Sequence, residues 1–349
     1  MNRLVRCWGW VGVGCCGVLG LGAGLSGWGQ TAPVYQYFRT GDAADATAAT
    51  SRAGYALIGG GTDLDEAFKW LCERAGGGDL LVLRATGGDA YDSYIQGLCH
   101  LNSVATVIIP SRAAAEDPFV AKAIREASAL FIAGGDQANY VNFWRGTPVE
   151  TALNEAIARG VPLGGTSAGL AVLGEYAYTA QGDRPDGPNL DGKTALADPF
   201  GPRITLSHGF LEIPILKGII TDSHFAKRDR MGRLLVFLAR LNEPDGKPVP
   251  TAGRAGIRGI GVEQGAAVLV EPDGHAKVIG KGSAYFVGPV EDAVVAGVGK
   301  PVTSLSATVM KVEAGHAFDL KKWQGDGVRY SLSVRDGTIV STQPGGGVY

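Results

Sequence analysis

Short apolar runs alternate with helix-patterned stretches through the first half of the chain. Residues 54–58 (GYALI), 79–84 (DLLVLR), 103–109 (SVATVII), 129–133 (ALFIA) and 161–163 (VPL) are brief, aliphatic and bounded by turn residues. That pattern predicts buried strands. Between the first two, Leu64, Ala67, Phe68 and Leu71 recur at helical spacing, predicting a helix from Thr62 or Asp63 to about Ala75 with one buried face. Further helices are predicted over 118–127, from Asp136 or Gln137 onward, and over 150–159. Strand and helix in alternation predict a parallel sheet covered on both faces, the α/β class. Such sheets bind ligands at the carboxyl ends of their strands. Residues 59–61, 85–89, 134–137 and 165–169 all fall there.

After residue 174 the pattern loosens. Residues 181–203 form a long Gly/Pro/Asp loop, an expected insertion or lid. Strands are predicted at 210–211 and 218–221, and a hairpin-like pair over 259–270 (GIGVEQGAAVLV). From about 288 the chain reads as short alternating strands. At the other end, Arg3 and Arg6 precede an apolar stretch over 8–28. That is the layout of an export signal, with an uncleaved membrane anchor as the alternative. The expected organisation is a signal or anchor over 1–32, a flexible lead-in over 33–52, an α/β domain over 53–288 and a small β extension over 289–349. The protein is expected to be exported, with transient membrane contact through its N-terminal segment.

Composition narrows the chemistry. The chain has 349 residues, 45% of them hydrophobic, enough for a large core, and a net charge of −2 that gives no reason to expect a nucleic-acid partner. Of its five cysteines, Cys7, Cys15 and Cys16 lie in the N-terminal segment. Cys72 and Cys99 remain, free or paired, and there is no CxxC motif for a zinc ribbon or redox site. The run Gly59-Gly60-Gly61 lacks the Lys-Ser/Thr of a P-loop and the spacing of a dinucleotide fingerprint. No metal or organic cofactor is expected.

The most informative stretch is VPLGGTSAGLAVLG, residues 161–174. It reads as strand, sharp turn and helix, with Ser167 central in Gly165-x-Ser167-x-Gly169, the pattern of a nucleophile elbow. A serine nucleophile needs a base, and the base needs a partner to orient it. His224 follows the apolar run GIIT and precedes a helix, placing it at a strand end. His100, His208, His275 and His316 have weaker contexts. Asp222-x-His224 could be half of a metal site, but no other histidine clusters with it. Glu263 and Gln264 both interrupt an apolar strand pattern; only one can face His224, because adjacent strand residues point to opposite faces.

Four stretches in order, GGDQ (134–137), GTSAG (165–169), DSHFAKRDRMGRLL (222–235) and GIGVEQGAAVLV, resemble the cyanophycinase and dipeptidase E family of serine peptidases, closer to cyanophycinase. The resemblance covers about residues 55–270. It implies a flavodoxin-like sheet, Ser167 as nucleophile, His224 as base, and an oxyanion hole from the Gly135 and Ala168 N–H groups. It implies that Gln137, Asp222, Arg228, Arg230 and Arg233 order the pocket and bind a β-linked aspartyl-arginine unit. Three arginines at i, i+2 and i+5 do not share one helix face, so some are expected to grip a carboxylate and others to be structural. The implied substrate is a cyanophycin-like polypeptide, with an aspartyl or isoaspartyl dipeptide as the alternative, and a homodimer is the family expectation. Two residues depart from the family pattern. Ser223 replaces a glutamine of the pocket, and the family's triad glutamate aligns with Gln264, leaving Glu263 or Gln264 as the third member. That departure also admits a catalytically silent peptide-binding protein on the same scaffold.

Overall fold

The computed structural model describes residues 34–46, 50–183, 187, 189–242, 256–295 and 297–349. The expected signal segment, 1–32, lies outside them. All five predicted strands of the first half form. Ser103–Ile108, Asp79–Arg84, Ala129–Ile132, Leu163–Thr166 and Tyr55–Ile58 lie side by side in that order, all parallel.

Alternation along each strand feeds two cores. In Asp79–Arg84, Leu81 and Leu83 point into one with Val120, Ile124, Leu153 and Ile157 of the helices Pro118–Glu126 and Pro148–Ala158. Leu80 and Val82 point into the other with Phe68, Leu71 and Ile95, from Asp65–Arg74 and Ala90–Leu98. Helices therefore cover both faces, as the two-sided burial of parallel strands requires. Asp117, Asp136 and Thr147 cap their helices by accepting hydrogen bonds from the backbone N–H groups of Phe119, Ala138 and Val149.

The structure differs from the expected organisation in several places, and a helix, Gly192–Ala197, lies inside the expected loop over 181–203. The lead-in is not wholly irregular, since Gln36–Gly41 pairs antiparallel with Ser103–Ile108 at the sheet edge. The expected strands after 288 are present, and they are built into both sheets. Ala317–Asp319 and Gln324–Gly325 extend the first sheet, while Val302–Glu313, Val328–Arg335 and Thr338–Ser341 belong to a second one. That second sheet also contains Ser283–Val287, Arg258–Val262, Ile219–Asp222, Tyr176–Tyr178 and Leu206–His208. GIGVEQGAAVLV is not a hairpin. Arg258–Val262 pairs with Ile219–Asp222 in the second sheet, whereas Ala266–Val270 pairs with Tyr55–Ile58 in the first. Glu263 and Gln264 thus lie in the turn between sheets, where strand alternation does not govern them. Residues 210–211 form no strand; Leu206–His208, just before them, does.

Candidate active site

Ser167 sits between the strand Leu163–Thr166 and the short helix Ala168–Ala171, with φ 53° and ψ −112°. This is a costly conformation for a residue with a side chain, of the kind concentrated at functional sites. The glycines on either side have steric reasons to be there. A Cβ on Gly165 would lie 2.7 Å from the Gly169 carbonyl, and one on Gly169 would lie 2.0 Å from the Ile132 oxygen. Both approaches exclude any side chain.

His224 also has a positive φ, 46°. Its Nε2 lies 2.7 Å from Ser167 Oγ, and its Nδ1 lies 2.6 Å from Gln264 Nε2. Serine, histidine and glutamine form one hydrogen-bonded line. Glu263, the other candidate for the third member, is turned away: Oε1 accepts from the Tyr285 hydroxyl at 2.7 Å and Oε2 from the Ser283 N–H at 2.8 Å. Its two oxygens are committed to the second sheet.

The triple glycine, one of the expected ligand-side strand ends, holds the site through its backbone. Three successive carbonyls at the end of the strand Tyr55–Ile58 register Ser167, His224 and the residue after Gln264. The Ser167 N–H donates to Ile58 O at 3.1 Å, the His224 N–H to Gly59 O at 2.8 Å, and the Gly265 N–H to Gly60 O at 3.0 Å. The backbone must run directly under the side chains it holds. A Cβ on Gly59 would lie 1.9 Å from the Glu263 oxygen, and one on Gly60 would lie 2.5 Å from His224 Cε1. Gly60 additionally has φ +89°. A glycine run at a strand end with no phosphate signature was the available signal.

Burial lowers the His224 pKa to about 4, and the neighbouring Arg228 and Arg230 charges push the same way. The imidazole is therefore neutral at neutral pH and able to accept a proton. The Gly134–Gly135 turn lies beside the serine; a Cβ on Gly134 would touch Ser167 Cβ at 3.5 Å. Ala168 opens the helix after the elbow, where a first-turn N–H has no intrahelical acceptor. Gln137 is half-buried at the start of Gln137–Trp144, on the same rim.

The arginines divide. Arg233 is 1% exposed and grips Asp222 with two nitrogens: Nε donates to Oδ2 at 2.7 Å and Nη2 to Oδ1 at 2.5 Å. Its Nη1 donates to Leu190 O. Burial pushes the Asp222 carboxyl up, but the Arg233 and Arg230 charges outweigh it and hold it below its usual range. Asp222 and Arg233 satisfy one another in the interior, an internal brace that puts Arg233 among the arginines expected to be structural. Arg230 is buried too, donating to Ser223 O at 2.8 Å and to Asn189 Oδ1 at 3.0 Å. Arg228 alone of the three is exposed, with Nη1 3.1 Å from Asn189 Oδ1. Ser223, in the family's glutamine position, is buried beneath Arg230.

Comparison with known proteins finds similarity to peptidases. Residues 86–197 match the model of Peptidase family S51, a region that includes GGDQ and the elbow. The curated relatives are cyanophycinases. That of Trichormus variabilis is 30% identical over 186 residues, 52% of this chain and 52% of its own length. That of Synechococcus elongatus is 28% identical over 226 residues, 62% of each chain. That of Geminocystis herdmanii is 28% identical over 251 residues, 68% of this chain and 80% of its own. The chain spans about half the length of the first of these relatives. A solved peptidase structure from an acI-B1 Actinobacterium superposes with a TM-score of 0.47 at 18% identity, covering 77% of this chain and 98% of that one.

Proposed function

We propose that the protein is an exported hydrolase that cleaves a cyanophycin-like aspartyl-arginine polypeptide through an acyl-enzyme on Ser167. The observation that carries this reading is the 2.7 Å contact between Ser167 Oγ, on its strained elbow, and a buried, neutral His224. In the reaction, with the Gln264 amide turned so that Oε1 accepts from Nδ1–H, His224 Nε2 takes the serine proton as Oγ attacks the carbonyl next to an aspartate. The tetrahedral oxyanion is met by the Gly135 and Ala168 N–H groups. His224 then returns the proton to the leaving amine, and water, deprotonated by the same imidazole, clears the ester. Arg228, the exposed guanidinium beside the site, is assigned to a substrate carboxylate. The curated cyanophycinases support the substrate class. The Cys72–Cys99 disulfide joining the end of Asp65–Arg74 to the residue after Ala90–Leu98 supports export, since such bonds persist in oxidising compartments.

Gln264 favours a second reading. A triad with no carboxylate on its histidine is a weaker catalyst, and a peptide-binding protein on this scaffold needs none. Incubating the protein lacking residues 1–32 with cyanophycin and with β-aspartyl and α-aspartyl dipeptides, beside Ser167→Ala, separates the readings. β-Aspartyl-arginine released only by the unaltered serine supports the proposal. Equal release by both proteins rejects the serine mechanism, hydrolysis of dipeptides alone points to a dipeptidase, and tight binding without turnover points to the binding protein.

A further inference from the structure

Tyr349 lies 125 residues beyond His224 in sequence, yet it meets Phe225, the neighbour of His224, and Tyr285, which in turn holds the neighbour of Gln264. Its ring packs edge-on against Phe225, the residue after His224, with centroids 6.0 Å apart. It packs edge-on against Tyr285 at 5.7 Å, and the Tyr285 hydroxyl holds Glu263, the residue before Gln264. The Tyr349 hydroxyl accepts from the Met231 N–H and donates to Asp229 Oδ1, both at 2.9 Å. Asp229 has a positive φ of 47° and follows Arg228 directly. The segment bearing Tyr349 is itself tied down: the Tyr330 hydroxyl donates to Val348 O at 2.7 Å, and the Gln343 side chain donates to Gly347 O at 2.8 Å.

We propose that Tyr349 is a positioning residue for the hydrolytic site, its ring setting the His224–Gln264 line and its hydroxyl setting the Arg228 turn. The inference rests on the hydrolytic reading above. Its physical basis is that the 222–231 segment carries two strained non-glycine residues, His224 and Asp229, which persist only where surrounding contacts over-determine them. The N–H of Gly192 restrains Asp229 from one side through its carbonyl, and Tyr349 restrains it from the other through its carboxylate. The two functions of Tyr349 are separable by substitution. Tyr349→Phe keeps the ring against Phe225 and Tyr285 but releases Asp229. Tyr349→Ala loses both.

Hydrogen exchange across 222–231 and steady-state kinetics on cyanophycin test this together. Tyr349→Phe is expected to raise KM about tenfold with kcat nearly unchanged, whereas Tyr349→Ala lowers kcat by about ten- to a hundredfold, the scale of an ångström-level misplacement of reacting groups. Both variants should exchange faster in 222–231. Unchanged exchange there overturns the clamp. Faster exchange with unaltered kcat and KM reduces Tyr349 to a purely structural role and overturns the proposal. Wild-type protein that neither turns over cyanophycin nor labels at Ser167 with a fluorophosphonate overturns the hydrolytic reading instead; the exchange measurement, which needs no turnover, distinguishes that failure from a failure of the clamp.

Discussion

His224 Nδ1 lies 2.6 Å from the side-chain nitrogen of Gln264, not from a carboxylate. An amide facing Nδ1 through its N–H leaves the imidazole proton on Nε2, pointing at Ser167. That tautomer cannot accept the serine proton. The amide turned over presents Oε1 instead, which accepts from Nδ1–H and frees Nε2 to act as base. A glutamate can only accept, so it enforces the second arrangement and also stabilises the imidazolium. Gln264→Glu is therefore expected to raise kcat/KM at neutral pH by on the order of ten- to a thousandfold.

The same substitution moves the pH dependence. In the wild type, activity should persist on acidification until the base protonates, at about pH 4. Gln264→Glu shifts that acidic limb upward, because the carboxylate favours the charged imidazole. Stability follows the same linkage. Between the ordinary histidine value of 6.5 and about 4, the unfolded chain carries a proton on this residue that the folded chain does not. The wild type thus loses stability as pH falls through that window, and Gln264→Glu loses less. A kcat/KM profile and urea midpoints across the window measure both.

Gly60→Ala should inactivate without unfolding. Its Cβ would lie 2.6 Å from His224 Nε2, on backbone at φ +89°. The imidazole must move off Ser167, so kcat/KM is expected to fall by about a hundredfold or more. Circular dichroism should stay near that of the wild type. Retained activity would show that the strand end is not what registers the histidine.

Asp222→Asn should behave as a stability mutation. It leaves Arg233 buried without its charged partner, and breaking a buried pair from one side costs about 3–5 kcal/mol. Urea unfolding should show a loss on that scale, while Ser167→Ala unfolds close to the wild type. A stable Asp222→Asn protein with raised KM would instead return Asp222 to the substrate pocket.

The Cys72–Cys99 bond closes a loop with a sequence separation of 27. Chain-entropy arguments put its contribution at about 3–4 kcal/mol. The double variant Cys72→Ser, Cys99→Ser, or the reduced protein, should lower the urea midpoint correspondingly with little change in kcat, because the bond joins Asp65–Arg74 to the end of Ala90–Leu98, neither of which carries Ser167, His224 or Gln264. Equal midpoints with and without reductant would remove the disulfide as evidence for export.

Local pattern determined much of this protein. Five aliphatic runs and the helical spacing between them predicted the parallel sheet, because side-chain periodicity is a local property of the backbone. Gly165, Ser167 and Gly169 marked the elbow because the positions it constrains fall within five consecutive residues. His224 was legible as a residue at a strand end. Tertiary structure alone decided what depends on residues distant in sequence. The turn at 263–265 crosses between two sheets, so alternation could not say whether Glu263 or Gln264 meets His224; pairing with Tyr285 and Ser283 took Glu263 away. The burial of Arg233 against Asp222, and the exposure of Arg228, followed from packing that spacing does not encode. The triple glycine had no readable partner until folding brought His224 and the Glu263–Gln264 turn against it, from more than 200 residues away in the farther case.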